Sequence, residues 1–104
     1  MSRQQQTLAV AVATVLTHDQ AQGRRLVQAD TSGAGFQVTF PGKNVLPGPQ
    51  DGDETLVQQL GANALTVAAG AGSTITAFPA GNGTIAGYRY NGVTFNWDLA
   101  SLNT

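Results

Sequence analysis

Bulky and small or polar residues alternate with a period of two along most of this chain. Residues 8–13 alternate Leu or Val with Ala, and residues 36–40 alternate Phe or Val with Gln or Thr. This period is typical of β-strands, whose successive side chains point to opposite faces. The same alternation predicts further strands at residues 24–29, 55–60, 65–67, 73–78, 84–90 and 93–98. No window keeps an apolar spacing of 3.6, although residues 53–60 are also compatible with a short helix.

Turn-forming residues separate these segments at short intervals, which is typical of all-β domains. The dipeptide Asn91-Gly92 lies between two strand-like segments and predicts a hairpin with a type I′ turn. We therefore predict an all-β fold, a small antiparallel β-sandwich or barrel of about seven or eight short strands. An interleaved trimeric prism would show the same pattern. Residues 42–53 predict one exposed loop, of the kind that often carries binding residues.

Composition changes this picture in one respect, because the chain is poor in charge. Only 11% of its 104 residues are charged, against roughly 25% in average soluble domains. A soluble domain with so few charges is expected to cover part of its surface by association. The net charge of -1 gives no basis for binding nucleic acid or an anionic membrane. The absence of Cys excludes disulfides, thiolate zinc sites and thiol catalysis.

The longest apolar segment, residues 8–16, is too short to span a membrane as a helix. Its small residues lie inside the apolar segment rather than after it, so it does not fit a signal peptide. The length of the chain predicts a single domain. We divide it into residues 1–15, an N-terminal arm with the first strand, and residues 16–104, the main β-module. The polar, Gln-rich start of the arm predicts a segment that is flexible or ordered by a partner.

No set of residues has the spacing of a catalytic or metal site. His18 is the single histidine, and Asp19 beside it would point to the opposite face of a strand, so no triad is expected. The carboxylates Asp51, Asp53 and Glu54 do not match a calcium-loop spacing and indicate an acidic turn. We expect no catalytic residue, no metal ion and no cofactor. A small hydrolase built around His18 or this acidic turn is the least favoured hypothesis.

Two weaker chemical patterns also have simpler interpretations. Asp30 and Asp98 could supply the paired carboxylates of a glycosidase, but nothing in the sequence brings them together. Residues 81–86 fit a G-x-G-x-x-A pattern, but no helix is predicted after it. They therefore indicate a hairpin loop rather than a dinucleotide site.

Four aromatic residues occur in the last predicted hairpin: Tyr88, Tyr90, Phe95 and Trp97. Aromatic faces stack against sugars or bases, so this set could form a lectin-like platform. Arg89 is the single cation nearby, which is too little for a nucleic-acid groove. By strand parity, at least one pair of aromatics is expected in the core. The set therefore predicts a core, a subunit interface or an exposed sugar-binding face.

The chain from about residue 16 onward also resembles a β-rich module of bacteriophage virion proteins. The motifs that carry this resemblance, in order, are Leu16-Thr17-His18-Asp19, Gly23, Leu26 to Asp30, Val38 to Pro41, Asp51-Gly52-Asp53, Leu65 to Ile75, Tyr90-Asn91-Gly92 and Trp97. Such modules occur in tail fibres, tailspikes and capsid decoration proteins, commonly as homotrimers. The first fifteen residues depart from the pattern.

This resemblance implies a non-enzymatic capsid decoration (cement or head-fibre) subunit on the capsid surface of the virion. Its expected partners are two further copies of itself and the major capsid protein. We expect no fibre shaft in a chain of this length, and therefore expect a decoration protein rather than a tail fibre. The candidate capsid-docking arm is Ser2, Arg3, Gln4, Gln5, Gln6 and Thr7. The alternative is a receptor- or carbohydrate-binding module of a tail fibre or tailspike that binds a host surface glycan through the aromatic face.

Overall fold

The computed structural model of this chain describes residues 7–17, 21, 25–44 and 48–103, and no α-helix occurs among them. The all-β prediction is therefore confirmed for these ranges. In chain order the strands are β1 Thr7–Val10, β2 Thr14–Val15, β3 Arg25–Asp30, β4 Phe36–Phe40, β5 Glu54–Leu60, β6 Leu65–Ala69, β7 Thr74–Ile75, β8 Ile85–Asn91 and β9 Asn96–Asn103.

These strands form two sheets, and in both sheets the first three strands are neighbours in the order in which they occur along the chain. One sheet has six strands in the order β1-β3-β5-β8-β9-β7, and the other has three strands in the order β2-β4-β6. Each of the first three turns of the chain therefore adds one strand to each sheet. Within each sheet these strands pair in parallel. The result is a short coil of three stacked turns with its apolar residues between the sheets.

The prediction of an antiparallel arrangement is wrong for most of the molecule. Five of the seven pairings in the described residues are parallel, and those of β5 with β8 and β8 with β9 are antiparallel. Side-chain alternation is the same in both kinds of sheet, so the sequence pattern does not distinguish them. A parallel pair needs a long return connection. Here the strand in the opposite sheet, together with its loops, provides that return.

Parallel stacking aligns similar residues in successive turns and so builds the core. Val27 of β3 lies opposite Val57 of β5, and Val38 of β4 lies opposite Val67 of β6. Val27, Val38 and Val57 are completely buried between the sheets. Leu8 of β1 packs against this core as well. β1 and β2, within residues 7–15, thus each add an outermost strand to one of the two sheets.

The two ends of the coil differ. At one end the six-stranded sheet continues through the β8–β9 hairpin to β7, which lies beside β6 of the other sheet. This curled part of the sheet covers that end of the core. At the other end, β1 and β2 are the outermost strands of their sheets in the described part of the chain.

Several strand boundaries differ from the predicted ones. Residues 53–60 form a strand from Glu54 rather than a helix. The first strand ends at Val10, and only two residues of the predicted strand 73–78 are in β7. The last strand begins at Asn96 rather than at residue 93.

The turn between β8 and β9 is the clearest local correction. The hairpin itself is present, but its loop is residues 92–95, and Asn91 pairs with Asn96. The Asn91 side-chain oxygen accepts hydrogen bonds from the backbone N–H groups of Val93 (2.9 Å) and Thr94 (3.2 Å). The residue with positive φ is Phe95 (60°) rather than Asn91 or Gly92. A type I′ turn was therefore the wrong expectation, because the Asn91 side chain stabilises a longer loop.

Candidate functional site

The aromatic residues of the last hairpin lie mainly in the core. Tyr88 and Trp97 have no exposed surface, and Tyr90 is 2% exposed. The Phe40 ring meets Tyr88 and Trp97 edge-on, with ring centroids 5.3 and 5.0 Å apart. The expected sugar-binding or subunit-contact face is therefore not formed by these three residues. Their side chains point inward because the coil needs large residues to fill its closed end.

The polar atoms of these buried rings all have partners. The indole N–H of Trp97 donates a hydrogen bond to the carbonyl oxygen of Pro41 at 3.1 Å. The Tyr88 hydroxyl donates to the carbonyl of Thr76 at 2.9 Å, and burial raises the pKa of Tyr88 to about 12. The Tyr90 hydroxyl is 3.1 Å from the Ser73 hydroxyl. These contacts define a structural role for the rings.

Phe95, the fourth aromatic residue, is half-buried in the hairpin loop. Its backbone N–H donates to the carbonyl of Asn91 at 2.8 Å. The ammonium group of Lys43 lies 4.1 Å from the centre of its ring, a cation–π contact. This ring is thus covered by a side chain from the 42–53 loop rather than presented as a platform.

A polar cleft of about 360 Å³ lies beside this hairpin. We call it the polar cleft, and its lining residues are Asp51, Arg89, Tyr90, Asn91, Asp98 and Ala100. Arg89 of β8 lies opposite Asp98 of β9 and, on its other side, opposite Glu54 of β5. Three charged residues of alternating sign therefore lie side by side across the sheet.

Hydrogen bonds hold the carboxylates of the polar cleft in place. Asp51 accepts a bond from the backbone N–H of Gly92 at 2.9 Å. Asp98 accepts bonds from the side-chain amides of Asn96, at 2.5 Å, and Asn91, at 3.4 Å. A side chain at position 92 would begin 2.8 Å from the Asp51 Cβ, so glycine permits this close approach.

The sequence did not predict this cleft. A two-residue turn at Asn91-Gly92 would pair Arg89 with Thr94, whereas the longer loop pairs it with Asp98. The sequence suggests Asp98 as a glycosidase carboxylate and Asp51 as part of an acidic turn, and nothing in it brings the two together. The hairpin was recognisable, but its register depended on the side-chain contacts of Asn91.

A second notable surface lies at the open end of the coil. We call residues 7–15, comprising β1, β2 and the bend between them, the edge surface. No charged residue occurs in this segment. Val12 is 70% exposed and Val15 is 71% exposed. Elsewhere in the described ranges, the one large apolar residue with comparable exposure is Val93 in the hairpin loop, at 84%.

Asp30 and Asp98, considered as a glycosidase pair, lie apart in the sheet, whereas Asp51 and Asp98 both line the polar cleft. His18 and Asp19 lie outside the described residues. Asp30 is at the far end of β3 from the polar cleft, where it accepts hydrogen bonds from the Ser32 hydroxyl and backbone N–H. These bonds hold the pKa of Asp30 below its ordinary value. The described residues contain no group of three His, Cys, Asp or Glu side chains able to hold a metal ion.

Hydrogen bonds give Asp53 of the acidic turn and Asn82 of the G-x-G-x-x-A segment structural roles. Asp53 accepts a hydrogen bond from the Gln50 backbone N–H at 2.9 Å, which closes the turn before β5. Asn82 accepts one from the Gly61 backbone N–H at 3.0 Å, which joins two loops. Residues 81–86 lead into strand β8 rather than a helix.

Comparison with known proteins assigns no family to this chain. No family model and no curated protein matches it. Within the described ranges, no helix is long and apolar enough to cross a membrane.

Proposed function

We propose that this protein is a non-enzymatic structural subunit of a bacteriophage virion, a capsid decoration protein that binds and stabilises the capsid surface. The resemblance of residues 16–104 to virion β-modules supports this proposal. The structural observation that carries it is the edge surface, which is apolar, uncharged and open.

The edge surface lacks charge and proline, two of the features that keep natural sheet edges apart. Edge strands are usually protected by charged side chains, proline, bulges or covering loops, because their free N–H and C=O groups pair readily with other chains. Residues 7–15 contain no charge and no proline. Val12 and Val15 add exposed apolar area at the same place. Such an edge is expected to be covered by a partner in the working assembly.

The proposed capsid-docking arm leads directly into this surface. Thr7 is the first residue of β1, and the other arm residues, Ser2 to Gln6, precede it in the chain and lie outside the described residues. Arm and edge would together contact the major capsid protein. We also propose that three copies of the protein associate as a homotrimer on the capsid.

The test is whether the protein binds capsids through this end. Purified protein is added to capsids that lack it, and the particles are sedimented and imaged. We expect added density on the capsid surface. We also expect the double variant Val12→Lys/Val15→Lys to bind at least about tenfold more weakly, since two desolvated ammonium groups oppose docking.

Val93→Lys is the control, because it adds one ammonium group at an exposed valine outside the edge surface. It should bind like the wild type, and circular dichroism should show all variants folded. Density at the tail instead of the capsid would contradict the decoration role. Equal binding of the double variant would contradict docking through the edge surface.

The second candidate is a carbohydrate-binding module of a tail fibre or tailspike. Its original basis, the aromatic face, is buried. The polar cleft is the observation that now favours saccharide binding.

A further inference from the structure

We propose that the polar cleft binds a neutral, hydroxyl-rich saccharide. This inference goes beyond the structural role proposed above and does not depend on it. The argument rests on the shape of the cleft, its hydrogen-bonding groups, its charge and its position.

The size of the cleft suits a single sugar ring. Its volume of about 360 Å³ lies in the lower part of the range for ligand clefts in proteins, ~300–1,000 Å³. Ala100 supplies a small apolar part of the lining among the charged and amide groups. A pyranose ring likewise has C–H groups on its faces and hydroxyls around its rim.

The polar groups of the cleft complement hydroxyls in both directions. The carboxylates of Asp51 and Asp98 only accept hydrogen bonds and the guanidinium of Arg89 only donates them, whereas the Asn91 side-chain oxygen already accepts from Val93 and Thr94. A sugar hydroxyl donates one bond and accepts others, so neighbouring hydroxyls can pair with a carboxylate and a guanidinium at once.

The charge of the cleft selects against anions. Two carboxylates and one guanidinium line it, and Glu54 lies beside Arg89 in the sheet. The resulting negative balance disfavours phosphates, nucleic acids and acidic sugars. The guanidinium in the middle of the set disfavours a bare metal cation.

The acceptors are held in position before any ligand binds. Asp51 is bonded to the Gly92 backbone, and Asp98 is bonded to Asn91 and Asn96. Groups that are fixed in this way lose little conformational freedom on binding. The cleft lies on β8 and β9, at least three strands from β1, which is about 14 Å at the usual strand spacing. Docking through the edge surface would therefore leave it open.

The experiment is a titration of the isotope-labelled wild-type protein with galactose, glucose and N-acetylglucosamine, followed by two-dimensional amide NMR. We expect at least one of these sugars to shift the amide signals of residues 51–52, 89–92 and 98. Arg89→Ala and Asp98→Asn should each weaken binding at least about tenfold, because each removes a hydrogen bond to a charged group. The spectra also report whether each variant is folded.

Asp30→Asn is the matched control, because it neutralises a carboxylate at the opposite end of the same sheet. It should bind sugar like the wild type. Glucuronate should bind more weakly than glucose. The proposal is overturned if none of the neutral sugars shifts these signals, if glycerol shifts them equally, or if only a basic peptide or calcium does so. None of these results bears on where the protein lies in the virion, which particle imaging decides.

Discussion

At the scale of single residues, burial separates the side chains that build the fold from those left to bind a partner. The sequence pattern identified the inward residues of β4 correctly, since Val38 and Phe40 are completely buried. Both faces of β5 carry apolar residues, and the face that is buried in the core also carries Gln59. Its amide donates to the carbonyls of Gly61 and Asn63 and accepts from the Gly81 N–H. Glutamine is usually exposed, but Gln59 can be buried because all the polar atoms of its side chain have hydrogen-bond partners.

The buried tryptophan gives the first prediction at this scale. Trp97→Phe removes the hydrogen bond to the Pro41 carbonyl and leaves space beside Phe40. We expect the free energy of unfolding to fall by about 2–3 kcal/mol, as measured by urea denaturation. Val93→Ala, at a highly exposed position, should change it by less than ~0.5 kcal/mol. Equal stability of Trp97→Phe and the wild type would show that this contact is not part of the core.

At the scale of elements, the connections between strands decide their direction and register. The turn after β5 shows how tightly a connection can be specified. Gly61 has a φ of 136°, and a Cβ there would lie 2.4 Å from the backbone nitrogen of Ser32. The turn after β3 contains Gly33, which has no atom within 4 Å of such a Cβ. These two glycines therefore differ in what they contribute, although the sequence alone does not distinguish them.

This difference leads to a paired prediction. Gly61→Ala should lower the free energy of unfolding by about 2 kcal/mol or more, because the side chain meets backbone and the conformation is unfavourable for L-residues. Gly33→Ala should leave stability unchanged or raise it by up to ~1 kcal/mol through the unfolded state. Thermal and urea denaturation of both variants measure this. A similar loss in both variants would contradict the role assigned to the turn after β5.

At the scale of the whole molecule, the shortage of charged residues is evident on one surface. The outer face of the six-stranded sheet carries uncharged residues at its centre: Leu26, Gln28, Leu56, Gln58 and Ile85. Gln28 donates a hydrogen bond to Gln58 across this face at 3.2 Å. This uncharged central patch suits contact between identical subunits, and we expect it to form the proposed homotrimer.

The oligomer prediction is tested by measuring mass in solution. Wild-type protein at micromolar concentration should have three times the chain mass of 10.7 kDa by sedimentation equilibrium. Gln28→Lys/Gln58→Lys should lower this mass, since the added ammonium groups repel their copies across the interface. Val93→Lys should not. A wild-type monomer would contradict the trimer, and an unchanged mass in the double variant would place the contact elsewhere.

The sequence by itself determined the class of fold and the approximate position of most strands. These features follow from alternation, turn residues and residue chemistry, which act over a few positions along the chain. Only the tertiary structure decided that most strands pair in parallel, that the aromatic residues fill the closed end of the coil, and that Arg89 lies between Glu54 and Asp98. Strand direction and register depend on contacts between residues far apart in the chain, and local periodicity is the same for every such arrangement.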